Sequence, residues 1–191
     1  GTVKGNGAFV AGSGTVSFST GGEYLASATI GSGILNVISD SYIGSLKYSS
    51  PDGTINIGSG VTVAVNSDFS GMGRLTGDAS ATLSLQQNAN AVFNQANNFA
   101  GTINAEHGSL TFLSSADFST LSLDSASAVF RDTATVGAVT IGSGSAEFKK
   151  NASINTMVLD SGRAQFNSSA TINTLNVSSG TRSEEHTPEL Q

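Results

Sequence analysis

In the C-terminal half of the chain, apolar residues come in pairs two positions apart, and the pairs recur with a fixed period. Four consecutive blocks, 108–125, 126–143, 144–161 and 162–179, align without gaps at 18 residues each. The fifth place is always Phe (Phe112, Phe130, Phe148, Phe166) and the ninth always Ala (Ala116, Ala134, Ala152, Ala170). The eleventh is Phe118, Val136, Ile154 or Ile172, and the fourteenth Leu121, Val139, Met157 or Leu175. The sixteenth is Leu123, Ile141, Leu159 or Val177, and the third Leu110, Ala128, Ala146 or Ala164.

Places three and five, nine and eleven, and fourteen and sixteen each have the spacing of side chains on one face of a strand. Small and polar residues separate the pairs, as in Lys149-Lys150-Asn151, Asn155-Thr156 and Asp160-Ser161-Gly162. The pattern predicts an all-β fold, a single-stranded parallel β-helix with three short strands per coil of about 18 residues. Each strand pairs in parallel with its copies about 4.8 Å above and below. The Phe side chains then stack inside, each worth roughly 2–3 kcal/mol by buried area. Asn155 and Asn173 fall at the same corner of adjacent coils, where stacked amides form a ladder. A helix disagrees with the spacing of two and with the abundant Gly and β-branched residues. A sandwich needs hairpin turns, yet Asn6-Gly7 and Asp52-Gly53 are the only Asn-Gly or Asp-Gly pairs, and neither lies in the regular half.

Further back the repeat loosens. Residues 89–107 read as a coil one residue longer, with Phe93 in the Phe place and the extra residue near Gly101. Leu46 and Tyr48, Ile55 and Ile57, and Val61, Val63 and Val65 alternate in the same way, with longer turns expected around Gly21-Gly22 and over 49–53. The stretch from Ala28-Thr29-Ile30 to Asn36-Val37 echoes Ala170-Thr171-Ile172 to Asn176-Val177. The expected organisation is one solenoid over 1–181, irregular over 1–88 and regular over 89–179, with no domain boundary.

Composition narrows the function classes. Charged residues make up 12% of the chain, about half the usual share, but the patterned 38% of hydrophobic residues argues against disorder. A net charge of −6 disfavours nucleic acid as a partner. No apolar run reaches the roughly 18 residues of a membrane helix, so membrane insertion of this segment is not expected. No signal peptide opens the chain, which starts at Gly1 without Met and is read as a fragment. The absence of Cys excludes a disulfide framework.

Gly71-Met72-Gly73-Arg74-Leu75-Thr76-Gly77 is followed by Ala81-Thr82-Leu83-Ser84-Leu85, then Ala96-Asn97-Asn98-Phe99-Ala100-Gly101-Thr102-Ile103-Asn104-Ala105, then Gly108-Ser109-Leu110-Thr111-Phe112. This stretch resembles the autotransporter-associated β-strand repeat. It departs from that pattern in having Ala81 where the family has Gly, and in placing Gly101 directly before Thr102. The resemblance implies a right-handed parallel β-helix, part of a passenger exported through a C-terminal translocator barrel to the outer-membrane surface or beyond. Parallel crossovers are right-handed almost always. A left-handed hexapeptide helix is the alternative, but two of the apolar steps here are six and the next are five. The family motif is structural and transfers no catalytic residue.

The last ten residues, Arg182 to Gln191, break the pattern. They put Arg182 and Glu184 in inward places three and five, where an unpaired charge costs several kcal/mol. The segment closely resembles a translated sequencing adapter, differing only at Pro188, and is read as non-native.

No constellation carries chemistry, so neither an enzyme nor a cofactor is expected. His186 lies in the tail, and His107 stands beside Glu106 with no Cys and no second His to share a metal. Asp117 recurs as Thr135, Ser153 and Thr171, which leaves it no stacked acidic partner. Asp124 and Asp160 share place seventeen with Gly142 between them. Repeated calcium turns are absent, leaving only a lone weak site at Asp160 or Asp132. Gly12-Ser13-Gly14 reads as a turn, because no helix follows to complete a phosphate loop. The Asn151, Asn167 and Asn176 acceptor patterns are expected by chance in a chain this rich in Asn and Ser. Arg131, Lys149 and Lys150 read as a solvated edge. The expectation is a structural or adhesive stalk whose outward Ser, Thr and Asn rows meet glycans or host proteins. The alternatives are a carbohydrate-active β-helix with its active coils elsewhere, or a secreted biofilm fibre.

Overall fold

The computed structural model describes residues 7–19, 23–94 and 98–184. Among these, every regular element is a strand and every strand pairing is parallel. The strands stack as a β-solenoid of about 9 turns of roughly 18 residues. The fold class read from the apolar pairs therefore holds.

Each coil has three faces. The first runs from Ser41–Tyr48 through Thr62–Val65, Thr82–Leu85 and Thr102–Ala105 to the later half of Ala116–Leu123. The second runs through Asp68–Ser70, Asn90–Phe93, Ser109–Phe112, Ser127–Phe130, Ser145–Phe148 and Arg163–Phe166. The third runs through Thr15–Phe18, Ile34–Val37, Thr54–Ile57, Arg74–Gly77 and Asn98–Phe99. It continues into the early half of Ala116–Leu123, where the Ser119 N–H donates to Ala100 O at 3.3 Å.

The coil differs from the expected three short strands in one respect. The nine–eleven and fourteen–sixteen pairs share one strand of 8 residues, as in Ala134–Ile141 and Ala152–Leu159. That strand bends at its centre, at Ser119, Gly137, Asn155 and Asn173, the residue skipped in the pairing registers. Two adjacent residues there turn outward, so the alternation of two shifts phase and the strand serves two faces. The bridged corner moves along the molecule. Glu23–Ile30 and Ser41–Tyr48 bend between the first and second faces, whereas Ala116–Leu123 and its copies bend between the third and first. For this reason the echo of 170–177 in 28–37 does not hold. Ala28-Thr29-Ile30 ends a strand on the second face, and Ile34–Val37 is a separate strand on the third.

The core is the axis of the coil. Phe93, Phe112, Phe130, Phe148 and Phe166 stack in sequence with ring centroids 4.6, 4.5, 4.6 and 4.9 Å apart, and planes within 7° of parallel. The amide ladder forms as expected, with Asn173 Nδ2 donating to Asn155 Oδ1 at 3.1 Å. Leu46, Tyr48, Ile55, Ile57, Val61, Val63 and Val65 are all buried, and residues 49–53 form one of the longer turns. The other expected long turn, at Gly21-Gly22, lies outside the described residues.

At the C-terminal end, Thr181–Glu184 continues the second face, with Arg182 opposite Ala164 and Glu184 opposite Phe166. The burial cost expected for Arg182 does not arise. It sits on the last described coil, is exposed, and lays its guanidinium over the Phe166 ring at 5.5 Å. Residues 185–191, including His186, lie outside the described residues.

Candidate functional site

A solenoid brings chemistry together in two ways: along an outward column, one coil above another, or across a corner. Among the described residues, the acids singled out from the sequence meet in neither. Asp117 stands outward beside Thr135, whose own next neighbours are Ser153 and Thr171. Asp124 and Asp160 are exposed at one corner with Gly142 between them, tied in by bonds from Gly142 N–H to Leu123 O and from Asp160 N–H to Ile141 O. Glu106 and His107 are exposed before Gly108. Asp132 spends a carboxylate oxygen on the Thr133 N–H at 2.8 Å. No group of three or more His, Cys, Asp or Glu side chains gathers among the described residues.

Arg131, Lys149 and Lys150 are exposed at one edge. Lys149 reaches back to Glu147 at 3.5 Å, and Glu147 also accepts from Asn167 Nδ2 at 2.9 Å. On the second face, Ser127, Ser145, Glu147, Arg163 and Gln165 line a shallow depression of about 200 Å³. That is smaller than the roughly 300 Å³ at which ligand pockets begin. Its charged groups are engaged by neighbours, Arg163 Nη2 donating to Gln165 Oε1 at 2.9 Å.

Among the described residues, the Asp78 carboxylate stands out for the bonds that hold it. The Ser80 hydroxyl and then the Ser80 N–H, at 2.7 and 2.9 Å, hold it below the ordinary value. This is a capped turn in solvent. Tyr48 is buried beneath the turn at Gly71 and Gly73 and donates its hydroxyl hydrogen to Arg74 O at 2.5 Å. Burial pushes the phenol well above its ordinary pKa. Two buried polar atoms, Ser39 Oγ and Asn66 Oδ1, have no hydrogen-bond partner, and they sit in separate corners either side of the first face.

The outward polar side chains divide into two populations. At corners and on the third face they bond to one another: Ser125 with Ser143 at 3.0 Å, Ser161 with Ser179 at 3.2 Å, and Asn36, Asn56 and Thr76 in a chain. On the first face they form columns without such bonds. Sequence reading placed Ser, Thr and Asn outward but did not separate these populations. The signal was present as a Thr one residue before the apolar pair in Thr82-Leu83-Ser84-Leu85 and its copies.

Comparison with protein-family models, with curated proteins and with solved structures finds no match.

Proposed function

We propose that the chain is a segment of an autotransporter-type passenger, a rigid acidic stalk at the bacterial surface or outside the cell. The observation that supports it is the pairing of a β-solenoid with the Gly71–Phe112 motif. Within that motif Arg74–Gly77, Thr82–Leu85, Thr102–Ala105 and Ser109–Phe112 each supply one strand of the stack; Ala96 and Asn97 lie outside the described residues. The mechanism is geometric. About 9 turns at roughly 4.8 Å each make a rod of roughly 45 Å, stiffened by its aromatic stack. Its outward hydroxyl and amide rows offer contacts to glycans or proteins of another cell, and a translocator barrel encoded downstream would export it.

Long-read sequencing of the source gene on both sides of the Thr181 codon tests this. The expected result is further 18-residue coils in place of residues 182–191, ending in amphipathic membrane strands. A native gene that encodes 182–191 and stops there overturns the proposal.

A further inference from the structure

The depression on the second face lies where the outward side chains lengthen from one coil to the next. One outward column reads Ser127, Ser145 and Arg163, and the other Val129, Glu147 and Gln165. The short residues leave the hollow and the long ones wall it. The walls are held in place by bonds among themselves and to the neighbouring corner. Glu147 Oε1 accepts from Asn167 Nδ2 at 2.9 Å and meets Lys149 Nζ at 3.5 Å, while Gln165 Nε2 donates to Asn167 Oδ1 at 3.0 Å. Arg163 Nη2 donates to Gln165 Oε1 at 2.9 Å and to Ser183 Oγ at 3.4 Å. Each charged group spends one atom in this way and keeps another. Among the described residues, Glu147 Oε2, Arg163 Nε and Nη1, and the Ser145 hydroxyl have no hydrogen-bond partner.

A carboxylate oxygen, guanidinium N–H groups and a hydroxyl therefore line one hollow of about 200 Å³, with Val129 as an apolar patch beside them. That set dictates the chemistry of an occupant. The two charges are opposite, so an anion is repelled by Glu147 and a cation by Arg163. A zwitterion meets both, but it gives up the hydration of two full charges, which costs several kcal/mol. Adjacent hydroxyls on an uncharged ring give up less. A hydroxyl both donates and accepts. One donates to Glu147, its neighbour accepts from Arg163, and both bonds are strengthened by the charge on the protein side. The C–H side of the ring rests on Val129. A hollow below the size of a pocket for a drug-sized ligand suits a single ring, with the rest of a chain lying across the face in solvent.

We propose that this hollow is a subsite for one neutral hexose unit of a glycan, held by a vicinal diol between Glu147 and Arg163. The proposal rests on the reading of the outward surface as one that meets glycans, and it assigns that contact to the second face over Ser127–Phe130, Ser145–Phe148 and Arg163–Phe166. The bonds that fix Glu147, Gln165 and Arg163 before a ligand arrives reduce the side-chain freedom lost on binding.

The test is titration of the isotope-labelled chain with methyl glucoside, methyl galactoside and methyl mannoside, read by amide NMR shifts, with glucuronate and alanine as charged probes. The expected result is a saturating shift centred on Ser145, Glu147 and Arg163 with at least one hexoside. Glu147→Gln and Arg163→Gln should each weaken it about tenfold or more, as loss of a bond to a charged group does. Ser145→Leu, which fills the hollow and leaves both charges, should abolish it. Ser84→Ala, on the first face, should leave it unchanged, and the dispersion of each spectrum shows that the variant is folded. No saturating shift with any of the hexosides overturns the proposal. So does tighter binding of glucuronate or alanine, an affinity unchanged in Ser145→Leu or Glu147→Gln, or an equal loss in Ser84→Ala. The gene sequence decides the stalk reading separately. A gene that stops after residue 191 overturns the stalk and leaves a saturable hexose site standing, whereas further coils do not rescue a hollow that binds no hexoside.

Discussion

The two halves of the solenoid stack one kind of coil in two ways. From Thr102 onward the register is constant: Thr102 pairs with Thr120, Ser109 with Ser127, Ala134 with Ala152 and Arg163 with Thr181. In the N-terminal half it drifts. Glu23 pairs with Ser41, but Ser41 pairs with Val63, Leu46 with Phe69, and Thr62 with Thr82. The aromatic stack registers the difference. Phe112 and Phe130 lie 3° from parallel, whereas Phe69 and Phe93 are tilted by 40° and Tyr48 and Phe69 by 81°. Equal coils put identical residues above one another and let the rings stack. Unequal coils keep the inward places apolar but leave each ring to find its own packing, and glycine at the corners takes up the extra chain.

The largest effect should come from breaking the stack where it is most regular. Phe148 is 1% exposed between Phe130 and Phe166. Phe148→Ala should cost about 3–5 kcal/mol. Phe148→Asp should cost more, because it also buries a carboxylate with no partner, and it should loosen the coils on both sides. Phe69→Ala, equally buried among tilted rings, should fall at the low end of that range, since drifting coils can collapse further into the space. Urea unfolding of the three variants checks this. Equal costs for the two alanine variants would show that ring stacking adds nothing to burial, and an unchanged midpoint for Phe148→Asp would sink the stacked core itself.

A smaller effect is expected where the drift is accommodated. Gly71 has φ +116, a conformation that side chains rarely adopt, and a Cβ on Gly73 would run into the ring carbons of Tyr48. The turn between Asp68–Ser70 and Arg74–Gly77 thus yields its volume to the Tyr48 ring. Gly73→Ala should cost about 1–3 kcal/mol by overpacking. In a Tyr48→Ala background the same change should cost little, because the atom it strikes is gone. Thermal denaturation of both single variants and the double reads the coupling. Additive effects would mean that Gly73 is needed for its backbone and not for its space.

The same contrast explains what the sequence discloses. Where coils are equal, one pattern states the fold four times over: Phe112, Phe130, Phe148 and Phe166 fix the register, and the Asn155–Asn173 ladder follows from it. Where coils differ, alternation still marks which residues are inside, as at Ile55 and Ile57, but not which face they belong to. That is why 28–37 could be laid over 170–177, although the bent corner joins different faces in the two places. Whether two pairs form two strands or one bent strand was also illegible, because Ser119, Gly137, Asn155 and Asn173 share a position without sharing a chemistry. The acids read as partnerless remain apart because their columns change residue type from coil to coil, which the repeat already displayed. The first-face Thr columns went unseparated because outward polar residues look alike until hydrogen bonding distinguishes those bonded to one another from those that are not.

The smallest effect turns on Tyr48, a phenol sealed by the irregular half. Tyr48 is 5% exposed, and burial raises its pKa well above the ordinary 10.0, while its hydroxyl is held by the Arg74 carbonyl. Once the pH passes the ordinary tyrosine value, the unfolded chain gives up this proton and the folded chain retains it. The folded state then binds more protons, so stability falls as the pH rises. Below that value the contribution is fully present. In Tyr48→Phe the melting temperature near neutral pH should drop slightly, as loss of one hydrogen bond costs about 0.5–1.5 kcal/mol. Between roughly pH 9 and 11, however, its melting temperature should decline less steeply than that of the parent, so the two curves converge. Every other group is the same in the two proteins and cancels in the comparison. Parallel curves would mean that the phenol ionises as readily folded as unfolded, and that the Gly71–Gly73 turn opens to water at a cost too small to seal it.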